Sequence, residues 1–142
     1  MEAVVLDAGV GVGLLYSMPY SPACQSRMES WVSAGVKILV PGLWDYEVVS
    51  ALRKLRSAGM LSKEDAEAGL GQLYRLPVKR MPVNQDLAVK ALLWADRLEQ
   101  FVTYDAQYLA VAELNGANLW TADRKLHKRC TEKGVGFVNL IG

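Results

Sequence analysis

The chain has only two cysteines, a single histidine and no apolar run long enough to cross a membrane. A transmembrane helix needs about 18 or more consecutive apolar residues, and no stretch here reaches that length. Cys24 and Cys130 fit neither a metal-ligand spacing nor a disulfide framework, so a reduced, cytoplasmic chain is the simpler reading. No basic segment precedes the apolar run Ala3-Val4-Val5-Leu6, and the N-terminus does not read as a signal peptide. The lone His127 lies in a basic stretch and reads as a surface residue rather than a general base. Gly9-Val10-Gly11-Val12-Gly13 lacks the spacing of a dinucleotide fingerprint and has no Lys-Ser/Thr after it, which excludes a phosphate loop. Those glycines read instead as allowing close helix–sheet packing. Internal repeats, low-complexity tracts and linkers are also missing.

What is present is an ordinary globular balance. The 142 residues are 51% hydrophobic and 22% charged, enough for a real core and consistent with one domain over residues 1–142. A net charge of +1 gives little overall steering toward nucleic acid. The distribution is uneven, however: residues 1–50 hold two basic residues against five acidic ones, a net −3, which leaves +4 on the remainder. Much of that excess is concentrated in Arg124-Lys125-Leu126-His127-Lys128-Arg129. Such a run reads either as a solvated helix face or as a contact surface for phosphates.

Short apolar runs alternate with helical patterns. Ala3–Leu6, Lys37–Val40, Leu119–Thr121 and Gly136–Leu140 read as strands, the first continuously apolar as in a sheet buried on both faces. Val78–Val83 reads as a weak or edge strand because Pro82 lacks an N–H. Helices are predicted at about Gly9–Leu15, Pro22–Ala34, Leu43–Ala58, from Ser62 as N-cap to about Leu76, and then at Gln85–Gln100, Asp105–Leu114 and Arg124–Lys133. Alternation of this kind implies an α/β fold, a three-layer α/β/α sandwich around a central, mainly parallel sheet of about five strands. In such folds sites form at the carboxyl ends of the strands.

Four acidic residues stand where separate apolar segments run out: Asp7 after the first strand, Glu47 beside the stripe of Trp44, Ala51 and Leu55, Asp105 at a helix start, and Asp123 after Leu119-Trp120-Thr121. Asp7, Asp105 and Asp123 each also read as helix N-caps, whose oxygens accept orphan backbone N–H groups. Glu47 has no such reading, and Arg53 and Lys54 are not spaced to pair with it on a helix. Taken together, four carboxylates at the rim of one core suggest a shared site for a hard divalent cation, because magnesium and manganese favour oxygen ligands. A phosphatase that uses Asp7 as nucleophile would want a second Asp at position 9, where Gly9 stands.

The blocks around these acids resemble those of the PIN-domain family, and within it the VapC-type toxin ribonucleases of VapBC toxin–antitoxin pairs. Val5-Leu6-Asp7-Ala8 is similar to the family's opening strand, and Pro41-Gly42-Leu43-Trp44-Asp45-Tyr46-Glu47-Val48-Val49-Ser50-Ala51-Leu52 to its proline-led, Glu-bearing helix. Thr103-Tyr104-Asp105-Ala106-Gln107-Tyr108-Leu109 and Trp120-Thr121-Ala122-Asp123-Arg124-Lys125-Leu126 resemble its third and fourth acidic blocks. All four occur in order over nearly the whole chain. The chain departs from the pattern at Gly9, where the family usually has Ser, Thr or Asn, and at Ser50, where it often has Asn.

The resemblance implies a Mg²⁺- or Mn²⁺-dependent endoribonuclease whose catalytic and metal-holding residues are Asp7, Glu47, Asp105 and Asp123. Thr121 and Ser50 would supply polar atoms behind the metal ligands, and Arg124, Lys125 and Lys128 would contact the RNA backbone. The implied partners are an RNA substrate, a cognate antitoxin protein and a second copy of the chain in a homodimer, with no membrane. Tyr16, Met18, Tyr20, Met28 and Trp31 read either as antitoxin contacts or as core. The alternative to a nuclease is a catalytically weak or inactive PIN domain that binds RNA or protein, a reading favoured by Gly9 and Ser50.

Overall fold

The computed structural model describes residues 2–142. Its elements are, in chain order, β1 (Ala3–Leu6), α1 (Ala8–Leu15), α2 (Ser21–Ser33), β2 (Lys37–Pro41), α3 (Leu43–Ser57), α4 (Lys63–Leu73), β3 (Lys79–Met81), α5 (Gln85–Leu98), α6 (Tyr104–Leu114), β4 (Asn118–Thr121), α7 (Arg124–Glu132) and β5 (Val138–Leu140). The strands form one sheet of order β3-β2-β1-β4-β5, and every neighbouring pair is parallel. The expected three-layer α/β/α architecture is therefore the observed one.

Parallel neighbours need crossover helices, and right-handed crossovers decide their sides. The steps from β1 to β2 and from β2 to β3 run one way along the sheet, which puts α1 to α4 on one face. The steps from β3 to β4 and from β4 to β5 run back, which puts α5 to α7 on the other. The packing agrees: α1 lies against α2, α3 and α4, while α5 lies against α6. On the α5 side, Arg97 reaches the Lys133 carbonyl at the end of α7 at 3.0 Å, and Trp94 meets Phe137 edge-on with ring centroids 5.6 Å apart.

Local chemistry accounts for most boundaries. Ser62 caps α4 by accepting from the Asp65 N–H at 3.0 Å, and Asn84 caps α5 by accepting from that of Leu87 at 2.9 Å. Gly35, Gly59 and Gly116 take positive φ where α2, α3 and α6 end. The strand before Pro82 is shorter than residues 78–83, only Lys79–Met81, and it forms one edge of the sheet, where a missing N–H costs least. Helix α4 stops at Leu73 rather than near Leu76.

The close approach that Gly11 and Gly13 permit is between helices, α1 against α3 and α2, rather than the expected helix–sheet packing. A Cβ at Gly11 would lie 2.7 Å from the ring of Trp44, and one at Gly13 would lie 2.9 Å from Cys24 Sγ. Trp44 is fully buried, and its indole N–H donates to the Asp7 carbonyl at 2.9 Å, fixing α3 to the end of β1. Cys24 and Cys130 are both free and buried. Met28 and Trp31 also belong to the core, Trp31 packing on Trp120 at 5.6 Å. Of the two readings open for these residues, core is the observed one, their apolar surface being already used inside the fold. Tyr16, Met18 and Tyr20 are partly buried. Among the described residues no helix is long and apolar enough to span a membrane.

Candidate active site

The order β3-β2-β1-β4-β5 reverses direction between β1 and β4, and the carboxyl ends of strands at such a switch point form a natural crevice. Asp7 follows β1 and Asp123 follows β4, so the chain delivers both carboxylates to that crevice. Glu47 comes from α3 and Asp105 from the first turn of α6. All four line one cleft of about 280 Å³, together with Ala8, Gly9, Tyr20, Tyr108 and Ala122.

Two of these acids also cap helices. Asp7 Oδ1 accepts from the Val10 N–H at 3.0 Å and caps α1, while its Oδ2 accepts from the Thr121 hydroxyl. Asp123 Oδ1 accepts from the N–H groups of Lys125 at 2.9 Å and Leu126 at 3.1 Å and caps α7. Capping and cleft lining are thus not alternatives. Asp105 is not a cap, because Thr103 takes that position without a side-chain hydrogen bond. Thr121 is fully buried and links two of the acids, since its hydroxyl also accepts from the Asp123 N–H at 2.9 Å.

Two further side chains hold the remaining carboxylates. The Tyr108 hydroxyl donates to Glu47 Oε1 at 2.6 Å, and Gln100 Nε2 donates to Asp105 Oδ2 at 3.0 Å. The sequence does not announce either role. Tyr108 sits in an apolar helical stripe and reads as core, although a buried phenol needs a partner. Gln100 follows Glu99, whose left-handed backbone (φ 57°) ends α5 and turns the chain back toward α6.

Electrostatically the cleft is short of cations. None of its four carboxylates takes part in an ion pair among the described residues; Asp45, by contrast, is gripped at both oxygens by Arg80, at 2.6 and 2.8 Å. Burial pushes the Asp7 carboxyl up to about 6, against the lowering effect of its bonds from Thr121 and Val10. Burial also raises Glu47 and Asp105, the hydrogen bonds from Tyr108 and Gln100 offsetting part of the shift. The Tyr108 phenol is pushed far above its ordinary value by burial and by Glu47, which keeps it a donor.

A divalent cation fits this donor set chemically, because every carboxylate donor is a hard oxygen and, among the described residues, none is ion-paired; Lys54 and Arg129 offset the charge of Glu47 and Asp105 only from a distance. Among the described residues no three acidic, His or Cys side chains converge closely enough to enclose an ion alone. An ion held there would need waters and a substrate phosphate to complete its shell.

The raised Asp7 value has a measurable consequence. Between pH 4 and 6 the folded metal-free chain retains a proton on Asp7 that the unfolded chain has released, as its carboxyl lies above the ordinary 3.8. This group therefore makes stability fall as pH rises through that window and level off above it. Urea melts from pH 4 to 7 should show a shallower fall for Asp7→Asn than for the natural chain. Superimposable pH profiles would contradict the assigned burial.

The other expected site residues are placed differently. Arg124, Lys125 and Lys128 are exposed on α7, immediately after Asp123 but outside the acidic cleft. Ser50 is exposed on α3 and does not line the cleft, because three residues along the helix from Glu47 it has turned toward solvent. Its expected place behind the metal ligands is corrected accordingly. Gly9 does face the cleft: a Cβ there would lie 3.5 Å from Asp7 Oδ1. Tyr20 brings a hydroxyl to the same cleft and donates to the Gly9 carbonyl at 3.0 Å. A roomier hollow of about 570 Å³ lies beside Gly42, Asp45, Tyr46, Val49 and Tyr74, but its one carboxylate is the one Arg80 neutralises.

Residues 4–132 match the model of the PIN domain family. The chain belongs to the PIN-domain family. Among curated proteins, this PIN domain is 33% identical over 126 residues to ribonuclease VapC3 of Mycobacterium tuberculosis, covering 88% of this chain and 85% of the relative. It is 32% identical to ribonuclease VapC3 of Pyrobaculum aerophilum over 128 residues, 89% of this chain and 93% of that one. Solved PIN-fold neighbours include VapBC2 from Rickettsia felis bound to a DNA fragment from its promoter, with TM-score 0.70, 12% identity and 99% of both chains covered. Another is Mycobacterium tuberculosis VapC20, a sarcin–ricin loop cleaving toxin, with TM-score 0.66, 17% identity and coverage of 98% of this chain and 99% of that one.

Proposed function

We propose that this PIN domain is a Mg²⁺- or Mn²⁺-dependent endoribonuclease and the toxin of a toxin–antitoxin pair. The observation that carries the reading is four carboxylates from four separate segments lining one cleft, with no cation paired to them among the described residues. The relatives named as VapC ribonucleases support it, as do the VapBC complexes among the structural neighbours.

In this reading Asp7, Glu47, Asp105 and Asp123 hold the cation directly or through water. The cation supplies charge neutralisation at the phosphate and a more acidic bound water. The chain's own residues do the rest. Thr121 holds Asp7 and Asp123 in register, Tyr108 and Gln100 hold Glu47 and Asp105, and Asp7 and Asp123 remain tied to the starts of α1 and α7. Arg124, Lys125 and Lys128 offer exposed positive charge to the RNA backbone beside the cleft. In-line attack of water on phosphorus, with the P–O3′ bond breaking and the 3′-oxygen leaving as the hydroxyl, would give 5′-phosphate and 3′-hydroxyl ends. Residues 1–142 act as one domain, cytoplasmic, paired with a second copy and silenced by a small antitoxin protein.

The second reading is a PIN domain that binds RNA or a partner without cutting it. Gly9 and the outward-facing Ser50 favour it, since neither adds a polar side chain to the cleft. Calorimetric titration with Mn²⁺ separates the two. The nuclease reading expects saturable binding that is weakened by Asp7→Asn, whereas a chain that takes up no Mn²⁺ would belong to the second reading.

A further inference from the structure

Glu47 has the longest side chain of the four acids. Its carboxylate stands at the end of a three-torsion side chain on α3, and unlike Asp7 and Asp123 it caps no helix. Among the described residues it has no cationic partner, and one hydrogen bond fixes it, the 2.6 Å bond from the Tyr108 hydroxyl to Oε1. Tyr108 is well suited to hold it. The residue is 2% exposed and packed in the core cluster, so the hydroxyl projects from a buried base. It lies one helical turn beyond Asp105 on α6, and both residues line the acidic cleft. Helix α6 therefore supplies one carboxylate of the cleft and the donor that fixes a second, carried by α3 on the opposite face of the sheet.

We propose that Tyr108 is a positioning residue that fixes the Glu47 carboxylate for the cation, engaging Oε1 and leaving Oε2 free of donors among the described residues. The inference rests on the metal-dependent reading above and deepens it. A free Glu side chain samples many rotamers, few of which present an oxygen to the cleft, so fixing one raises cation affinity without adding a ligand. Tyr108 contributes through Glu47 alone: its phenol is a donor to the carboxylate and never a ligand itself.

The test is a four-member cycle of the natural chain, Tyr108→Phe, Glu47→Ala and the double substitution, read by Mn²⁺ calorimetry and by RNA cleavage at several Mn²⁺ concentrations. Phe keeps the buried ring and removes only the hydroxyl, and thermal midpoints report that each variant is folded. Tyr108→Phe is expected to weaken Mn²⁺ binding about 10–100-fold, the usual effect of losing a partner of a metal ligand. Its kcat should fall at limiting Mn²⁺ and recover at high Mn²⁺, with KM for RNA unchanged. In the Glu47→Ala background the same substitution should change Mn²⁺ affinity no further. Unchanged Mn²⁺ affinity in Tyr108→Phe would overturn the inference, as would an equal loss in both backgrounds, which would mark a general packing effect. Absence of Mn²⁺ binding by the natural chain would instead overturn the parent reading, and this inference with it.

Discussion

Asp105→Asn is expected to lower metal-dependent RNA cleavage by more than about 100-fold, the upper end of what the outer partners of a metal ligand are worth, while leaving the fold intact. Both halves follow from the position of Asp105. It lines the cleft with the other three acids, so the amide removes a charge that the proposed cation binding would use. It caps no helix, and its only side-chain hydrogen bond among the described residues comes from Gln100 Nε2, which the amide oxygen of Asn can still accept. Burial holds the Asp105 carboxyl above its ordinary range, so the metal-free fold gains when the charge goes. The thermal midpoint of Asp105→Asn should therefore equal or exceed that of the natural chain as cleavage disappears. A variant that loses both together would show Asp105 to be structural. One that loses neither would remove it from the site.

Trp44→Ala is expected to be the most damaging single change to the fold, by about 3–5 kcal/mol out of the roughly 5–15 kcal/mol that hold a domain together. Trp44 is fully buried, and its ring fills the space that Gly11 leaves open on α1. Truncation empties that space and also removes the 2.9 Å bond from the indole to the Asp7 carbonyl. The carbonyl keeps its longer bond from the Gly11 N–H at 3.3 Å, so most of the cost is cavity rather than orphaned backbone. A fall in thermal midpoint on the order of 10 °C follows for a chain of this size. A shift within scan error would mean that α3 is not pinned to β1 through this residue.

The sequence disclosed the fold more fully than the site. Continuous apolar strands, glycine stops and capping residues define an α/β alternation that needs few long-range facts, and Pro82 marks the edge strand because a proline N–H is missing wherever it stands. The order β3-β2-β1-β4-β5 is not written locally, since pairing partners are chosen by burial across the whole sheet. For the site, the four acids were legible because each interrupts an apolar segment. Asp7 and Asp123 could not be separated from caps by sequence, for the reason that they are caps as well. Tyr108 and Gln100 were hidden because their partners, Glu47 and Asp105, lie on other elements or across a turn that only the folded chain closes. Ser50 misled because i and i+3 share a helix side only approximately, enough here to turn it from the cleft to solvent.

The central claim is that the carboxylates at the β1/β4 crevice cut RNA by holding a divalent cation. Its most direct test is RNA cleavage by the EDTA-stripped protein before and after Mn²⁺ is returned, with the Asp7→Asn/Asp105→Asn double substitution alongside. No cleavage is expected without metal, cleavage to 5′-phosphate and 3′-hydroxyl ends once Mn²⁺ is added, and none by the folded double variant. Cleavage that persists in EDTA, or that the double variant performs at the natural rate, would contradict it.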